Sequence, residues 1–242
     1  MHKRLSAVDR KRAILEAASP IFARQGRVAT TTQQVAKAAG ISEALLYKHF
    51  SSKEDLYSAI ENHCVEAIAI GTQLFENAEP STETFVLTVA FTMHAIFLGI
   101  GDQRSHENTK RLVVSSALSD GSFARNFLAK SFAPWLGHFK ACFEAARREG
   151  HLQDGIDLQD ADIWFIHHLA TSLHLFALPQ DPVISYGMSK AELADRAIVF
   201  LLRGIGIREA AIRRFYTVNR IASILQDSNA QDTPSKATVR PR

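Results

Sequence analysis

The stretch "GISEALLYKHFSSKEDL", Gly40 to Leu56, crowds a serine hydroxyl, a carboxylate, a phenol, lysines and a histidine into one short span. These groups suit gripping and reading a nucleic-acid duplex. Ser42 and the free amides that open a helix can meet phosphate. Glu43 can accept from cytosine N4, while Ala44 and Leu45 can lie against a thymine methyl. Tyr47, Lys48, His49 and Lys53 offer donors to backbone oxygens, contacts that position a protein without specifying a sequence. Glu43 has a second reading, in which it points to solvent.

Two short helices must hold these groups. The first spans 32–39, entered through Thr31 and Gln34 at capping-box spacing. Gly40 breaks it, and Ser42 can cap the next helix, 43–50. A small residue at Ala36 lets the two helices cross closely, and Ile41, Leu46 and Phe50 anchor the second one. With Leu46 and Phe50 turned inward, four residues apart, Glu43, Ala44, Tyr47 and Lys48 point outward and Leu45 lies at the edge. This is the layout of a helix-turn-helix. An αα-hairpin with a polar face has the same short pattern.

Charge is unevenly spread along the chain, with a solvated basic N-terminus as the plain alternative to a binding role. The chain has 242 residues and a formal net charge of +3, but residues 1–55 carry ten Lys/Arg against five Asp/Glu, while the remainder is slightly acidic. A basic head on an acidic body points to a polyanionic partner at one end. The basic arm "HKRLSAVDRKR" can add phosphate contacts or stay disordered. Cys64 and Cys142 share no close spacing, which excludes a disulfide framework and suggests buried thiols. "MHKRLSAVDRKR" has no apolar core of a signal peptide. The most apolar run, from Ala197, is interrupted by Arg203 and falls short of a membrane span. A soluble, cytoplasmic protein with no membrane contact is the expectation.

No segment reads as a strand; apolar residues recur at helical spacing throughout. A first helix spans 10–25, with Pro20 expected to kink it and Gly26 to end it. A fourth opens on Ser51 and Glu54 as a capping box and reaches about residue 77. Further helices are expected over 82–100, 105–118, 123–148 with a kink at Pro134, 161–178, 189–204 and 209–225. The expectation is an all-α fold: a helix-turn-helix domain with its basic arm over 1–55, a larger effector-binding and dimerisation domain over 56–225, and a disordered tail over 226–242.

The segment "TTTQQVAKAAGISEALLYKHFSSKEDLYSAI" resembles the DNA-binding domain of the TetR family of bacterial transcriptional regulators, and "AILEAASPIFARQG" matches its first helix. The likeness covers about residues 10–60. It implies phosphate contacts from Thr31, Thr32, Tyr47, His49 and Lys53, and base or backbone contacts from Ser42, Glu43, Ala44 and Leu45. Pro20 and Glu43 depart from the common family pattern. The resemblance further implies a homodimer paired through its last two main helices.

Residues 161–178 and 193–204 are apolar almost all round, which calls for burial on every side. Trp164, His168, Ile198, Leu201, Leu202 and Ile205 are the expected dimer contacts, the alternative being plain core. Phe91, His94, Phe97, Trp135, His138 and Phe139 are the candidates to line a pocket for a small-molecule effector. The histidines also raise metal sensing, but His167 and His174 lie two turns apart and no close Cys/His/Asp set accompanies them, so no metal or other cofactor is expected. HExxH, GxSxG and phosphate-binding glycine loops are absent, which argues against an enzyme. A ligand-responsive regulator, a repressor released from an operator by its effector, is the resulting expectation.

Overall fold

The computed structural model describes residues 6–76, 78–99 and 103–217. Among them the chain is all-α: α1 (Ala7–Ala29), α2 (Thr32–Ala38), α3 (Glu43–His49), α4 (Lys53–Glu76), α5 (Thr82–Met93) running into a π-turn at His94–Leu98, α6 (Gln103–Ala117), α7 (Ser122–Ser131), α8 (Leu136–Arg148), α9 (Asp160–Phe176), α10 (Lys190–Gly204) and α11 (Glu209–Phe215). The described residues contain no strand, only an isolated antiparallel bridge between Leu152 and Ile207.

The chain divides into two compact units. One comprises Met1–Ala69 with Asp102–Pro134; the other comprises Ile70–Gly101 with Trp135–Arg242. In the first, α1 lies against α2 and α6, and α6 against α7. Its core joins Ile14 and Phe22 of α1, Val35 of α2, Leu46 and Phe50 around α3, Leu56 and Ile60 of α4, Leu112 of α6 and Phe123 of α7. Apolar residues far apart in sequence thus meet behind the two short helices, and this burial supplies what helices of seven residues cannot supply alone.

In the second unit, α5 packs on α8, α9, α10 and α11. Phe85 sits at its centre, with its ring centroid 6.0 Å from Phe139 and 5.9 Å from Phe143. Thr82, at the start of α5, donates its hydroxyl to Glu149 Oε2 at 2.6 Å and lies 2.8 Å from His151 Nδ1. These bonds, chiefly the one from Thr82, hold the Glu149 carboxyl below the ordinary glutamate range.

Several boundaries differ from expectation. Pro20 does not break α1. The backbone stays helical through it, and the departure falls at Gly26 (φ 74°), in the left-handed region open to glycine. Helix α4 is capped by Ser52 rather than Ser51: Ser52 Oγ accepts from the Asp55 amide at 3.0 Å, while the Asp55 carboxylate accepts from the Ser51 amide at 2.9 Å. The stretch over 123–148 does bend at Pro134 as expected, through a 3-10 turn at Ala133–Trp135. Helix α11 closes at Phe215. The expected continuation beyond residue 217 and the tail over 226–242 lie outside the described residues.

Candidate nucleic-acid interface

The interface is built from α2, the turn after it and α3. Thr31 starts α2 with a reciprocal cap: its hydroxyl accepts from the Gln34 amide at 3.2 Å, and Gln34 Oε1 accepts from the Thr31 amide at 2.9 Å. At the far end, the Ile41 amide donates to Ala36 O at 3.0 Å and the Gly40 amide to Lys37 O at 3.2 Å. This closure requires the left-handed backbone at Gly40 (φ 65°). Ser42 then caps α3, its Oγ accepting from the Leu45 amide at 3.2 Å. Caps and turn together set the angle between two helices too short to set it themselves.

Val35, Ala36, Leu46 and Phe50 are buried. Ser42, Glu43, Ala44, Tyr47 and Lys48 are exposed, Tyr47 at 49%, and Leu45 and His49 are half-buried at the margin. Thr31 is exposed and Thr32 half-buried at the start of α2, on the same side as the polar face of α3, because Thr32 Oγ1 lies 3.3 Å from Tyr47 OH. Of the ten residues singled out in the sequence, nine form this patch on and beside α2 and α3, and Lys53 lies on α4.

Two of the ten behave differently from a free contact. Lys53 is half-buried, and its Nζ donates to the carbonyl oxygens of Thr30 at 3.2 Å and Val28 at 3.5 Å, so its ammonium also serves the end of α1. Glu43 is exposed, and its Oε1 accepts from Thr32 Oγ1 at 2.5 Å. Lys11 of the basic arm belongs to α1, and its Nζ lies 5.3 Å over the Phe50 ring, which brings a basic residue beside the end of α3.

The body residues fare unevenly. Phe91, Phe97 and Phe139 are buried, and Trp135, His138 and His94 are half-buried. Trp135 and His138 form an edge contact at 5.6 Å, and His138 Nε2 lies 3.5 Å from Cys142 Sγ. Burial lowers His94 below the usual histidine range, opposed by Asp195. Its Nε2 is shut off from solvent with no hydrogen-bond partner among the described residues, as is Thr171 Oγ1 on α9, a residue the sequence did not mark. Among the described residues, no three His, Cys, Asp or Glu side chains converge to hold a metal ion.

Four of the expected dimer contacts are corrected. Ile198, Leu201, Leu202 and Ile205 are buried within the chain itself, because α10 turns that apolar side onto α5 and the π-turn. The most exposed large apolar groups on α9 and α10 are Phe165 (58%) and Phe200 (69%), with Trp164 and His168 stacked at 5.8 Å on α9. Among the described residues no helix is long and apolar enough to cross a membrane.

An all-α chain whose first unit presents a braced helix-turn-helix has the architecture of a DNA-binding regulator. A family model for bacterial regulatory proteins of the tetR family matches residues 14–60. The transcriptional activator FasR of Mycolicibacterium smegmatis is 37% identical over 70 residues, which are 29% of this chain and 32% of FasR. The matched stretch thus spans about a third of that relative. The ketosteroid transcriptional regulator KstR2 of Mycobacterium tuberculosis superposes with a TM-score of 0.61 at 18% identity, covering 84% of this chain and 97% of KstR2. AibR, solved in complex with isovaleryl coenzyme A and operator DNA, gives a TM-score of 0.59 at 19% identity, covering 79% and 97% of the two chains. Residues 14–60 thus carry the DNA-binding domain of the tetR family of bacterial regulatory proteins.

Proposed function

We propose that the protein is a ligand-responsive transcriptional regulator, a repressor that holds a pseudo-palindromic operator as a homodimer and releases it when a small-molecule effector binds in the body. The observation that carries this reading is the division of α3 into a buried side, Leu46 with Phe50, and an exposed side, Glu43, Ala44, Tyr47 and Lys48. A helix so braced presents base-reading groups at its start and phosphate donors around them. Thr31, Thr32, Ser42, Leu45 and His49 complete the surface.

The reading head lies within residues 1–55, and the chain from 56 to 225 carries effector and partner. Phe165 and Phe200 support self-association, since large exposed aromatics on two neighbouring helices are costly in a monomer. A twofold dimer would place two heads on half-sites about 34–36 Å apart or a multiple of that. His94 Nε2 and Thr171 Oγ1 support an effector with polar groups, because buried polar atoms without partners cost stability until something matches them. The effector would act by binding better to a state whose two heads are misplaced for the operator. AibR offers a precedent in the same fold, having been solved with a coenzyme A thioester and operator DNA together. Such a regulator works in the cytoplasm and catalyses nothing.

Selection of bound duplexes from a random library tests the proposal. A two-fold symmetric motif with one fixed half-site spacing is the expected result. Recovery of no enriched motif would overturn operator reading, and an enriched but single, asymmetric site would overturn the dimer.

A further inference from the structure

We propose that Glu43 is a selectivity gate: its carboxylate draws in the two hydroxyl hydrogens that would otherwise grip phosphate, and so disfavours unrelated DNA. The inference rests on the DNA-binding reading above and adds a residue that acts against binding.

The argument is a count of hydrogens. A hydroxyl has one hydrogen to give, and a carboxylate has none. Thr32 Oγ1 stands 2.5 Å from Glu43 Oε1, so Thr32 is the donor of that bond. Thr32 Oγ1 also stands 3.3 Å from Tyr47 OH. With the Thr32 hydrogen already committed, the Tyr47 hydroxyl must donate in this second contact. A relay therefore runs from Tyr47 to Thr32 to Glu43, and both hydrogens are engaged within it. Thr32 and Tyr47 are the hydroxyls expected to donate to phosphate oxygens.

A duplex that engages this face must take those hydrogens from the carboxylate. Glu43 is then left without its donor, close to phosphate charge, whatever the sequence. Cytosine N4 or adenine N6 in the major groove can supply a hydrogen in return, whereas guanine O6 and N7 and thymine O4 are acceptors that repel it. The loss is thus offset at some base steps and left standing at others. Specificity obtained this way comes from a penalty on wrong partners rather than from a stronger grip on the right one.

The test uses the full chain, a duplex obtained by selection and an unrelated duplex of equal length. Affinities are measured across a range of salt for the wild type, Glu43→Gln, Glu43→Ala, Thr32→Val and the double variant Thr32→Val/Glu43→Ala. Glu43→Gln keeps the size and the acceptor oxygen, so it guards against loss of fold. Glu43→Ala is expected to tighten binding to the unrelated duplex about tenfold, the scale of one charge-assisted hydrogen bond made available, and Glu43→Gln, which loses the charge but keeps an acceptor for Thr32, should tighten it less. They should gain less on the selected duplex, so the specificity ratio falls. Thr32→Val should weaken binding to the unrelated duplex more in the Glu43→Ala background than in the wild type, because only there is its hydroxyl free for phosphate. Weaker binding to the selected duplex with unchanged binding to the unrelated one would make Glu43 a simple base reader and overturn the gate. No change on either duplex would make it a spectator and overturn the gate as well. A wild type that binds neither duplex would instead sink the regulator reading, and the gate with it.

Discussion

The ammonium of Lys53, in the first turn of α4, lies 3.2 Å from the carbonyl oxygen of Thr30, a residue ahead of both helices of the helix-turn-helix. Thr30 follows the break in α1 at Gly26, and its own hydroxyl donates to Gly26 O at 2.8 Å. Carbonyls at a helix end lack intrahelical partners, and a cation placed there satisfies them and complements the helix dipole. Lys53 therefore fixes the approach to Thr31 and Thr32 before it meets any phosphate.

Replacing Lys53 by methionine should lower the unfolding free energy by about 1 kcal/mol, the usual scale of a hydrogen bond from a partly exposed charge. Duplex affinity should fall while the salt slope stays nearly constant. Lys48→Met is the contrast, since Lys48 is exposed: stability should hold and the slope should drop by about 0.9, one phosphate contact. Urea melts and salt titrations on both variants check this. A Lys53 variant of unchanged stability and reduced slope would show a phosphate contact with no positioning role.

Phe200 and Leu201 are neighbours on α10 with opposite fates, Phe200 being 69% exposed and Leu201 buried. A charge at each should separate self-association from folding. Phe200→Asp should leave a folded chain that runs as a monomer in light scattering and binds duplex weakly, since the second head no longer contributes. Leu201→Asp should instead unfold the protein, because it buries an unpaired carboxylate in an apolar core. A Phe200→Asp protein that keeps the mass of a dimer would place the partner elsewhere.

The readable part of this chain was the part governed by local rules. Caps act over three residues, a glycine turn needs one left-handed position, and Leu46 with Phe50 are a single helical turn apart. All of α2, the turn and α3 follows from these. Ser51 and Ser52 defeated the same rule because both stand three residues ahead of an acid, Glu54 and Asp55, and only the emerging chain direction selects between them. On α9 and α10 the difficulty is of another kind. A helix apolar all round carries no stripe, so its pattern could not tell which side meets the chain's own core. Ile198, Leu201, Leu202 and Ile205 were accordingly placed toward a partner and lie inside. The bond between Thr32 and Glu43 joins two helices, and no spacing rule within either one announces it.

Lys110 makes the sharpest prediction about pH. It lies on α6, only 7% exposed, with no hydrogen bond or ion pair to any described residue. Burial pushes its ammonium down to about 8. An unfolded lysine titrates near 10.4. Between those values the unfolded chain binds more protons than the folded one, so stability attributable to this residue rises with pH across that window. Below it, both states are protonated and the folded chain carries the full penalty of a buried cation. Lys110→Met removes that penalty while keeping the length of the side chain. The variant should therefore be more stable than the wild type at pH 7, by on the order of 2 kcal/mol given 1.36 kcal/mol per unit of pKa and partial relaxation around the charge. The advantage should shrink steadily as pH climbs toward 10. Urea denaturation of both proteins at pH 7 and pH 9.5 decides the matter: an advantage that stays constant, or a variant less stable at pH 7, would mean that the ammonium is matched by a partner and bears no burial cost.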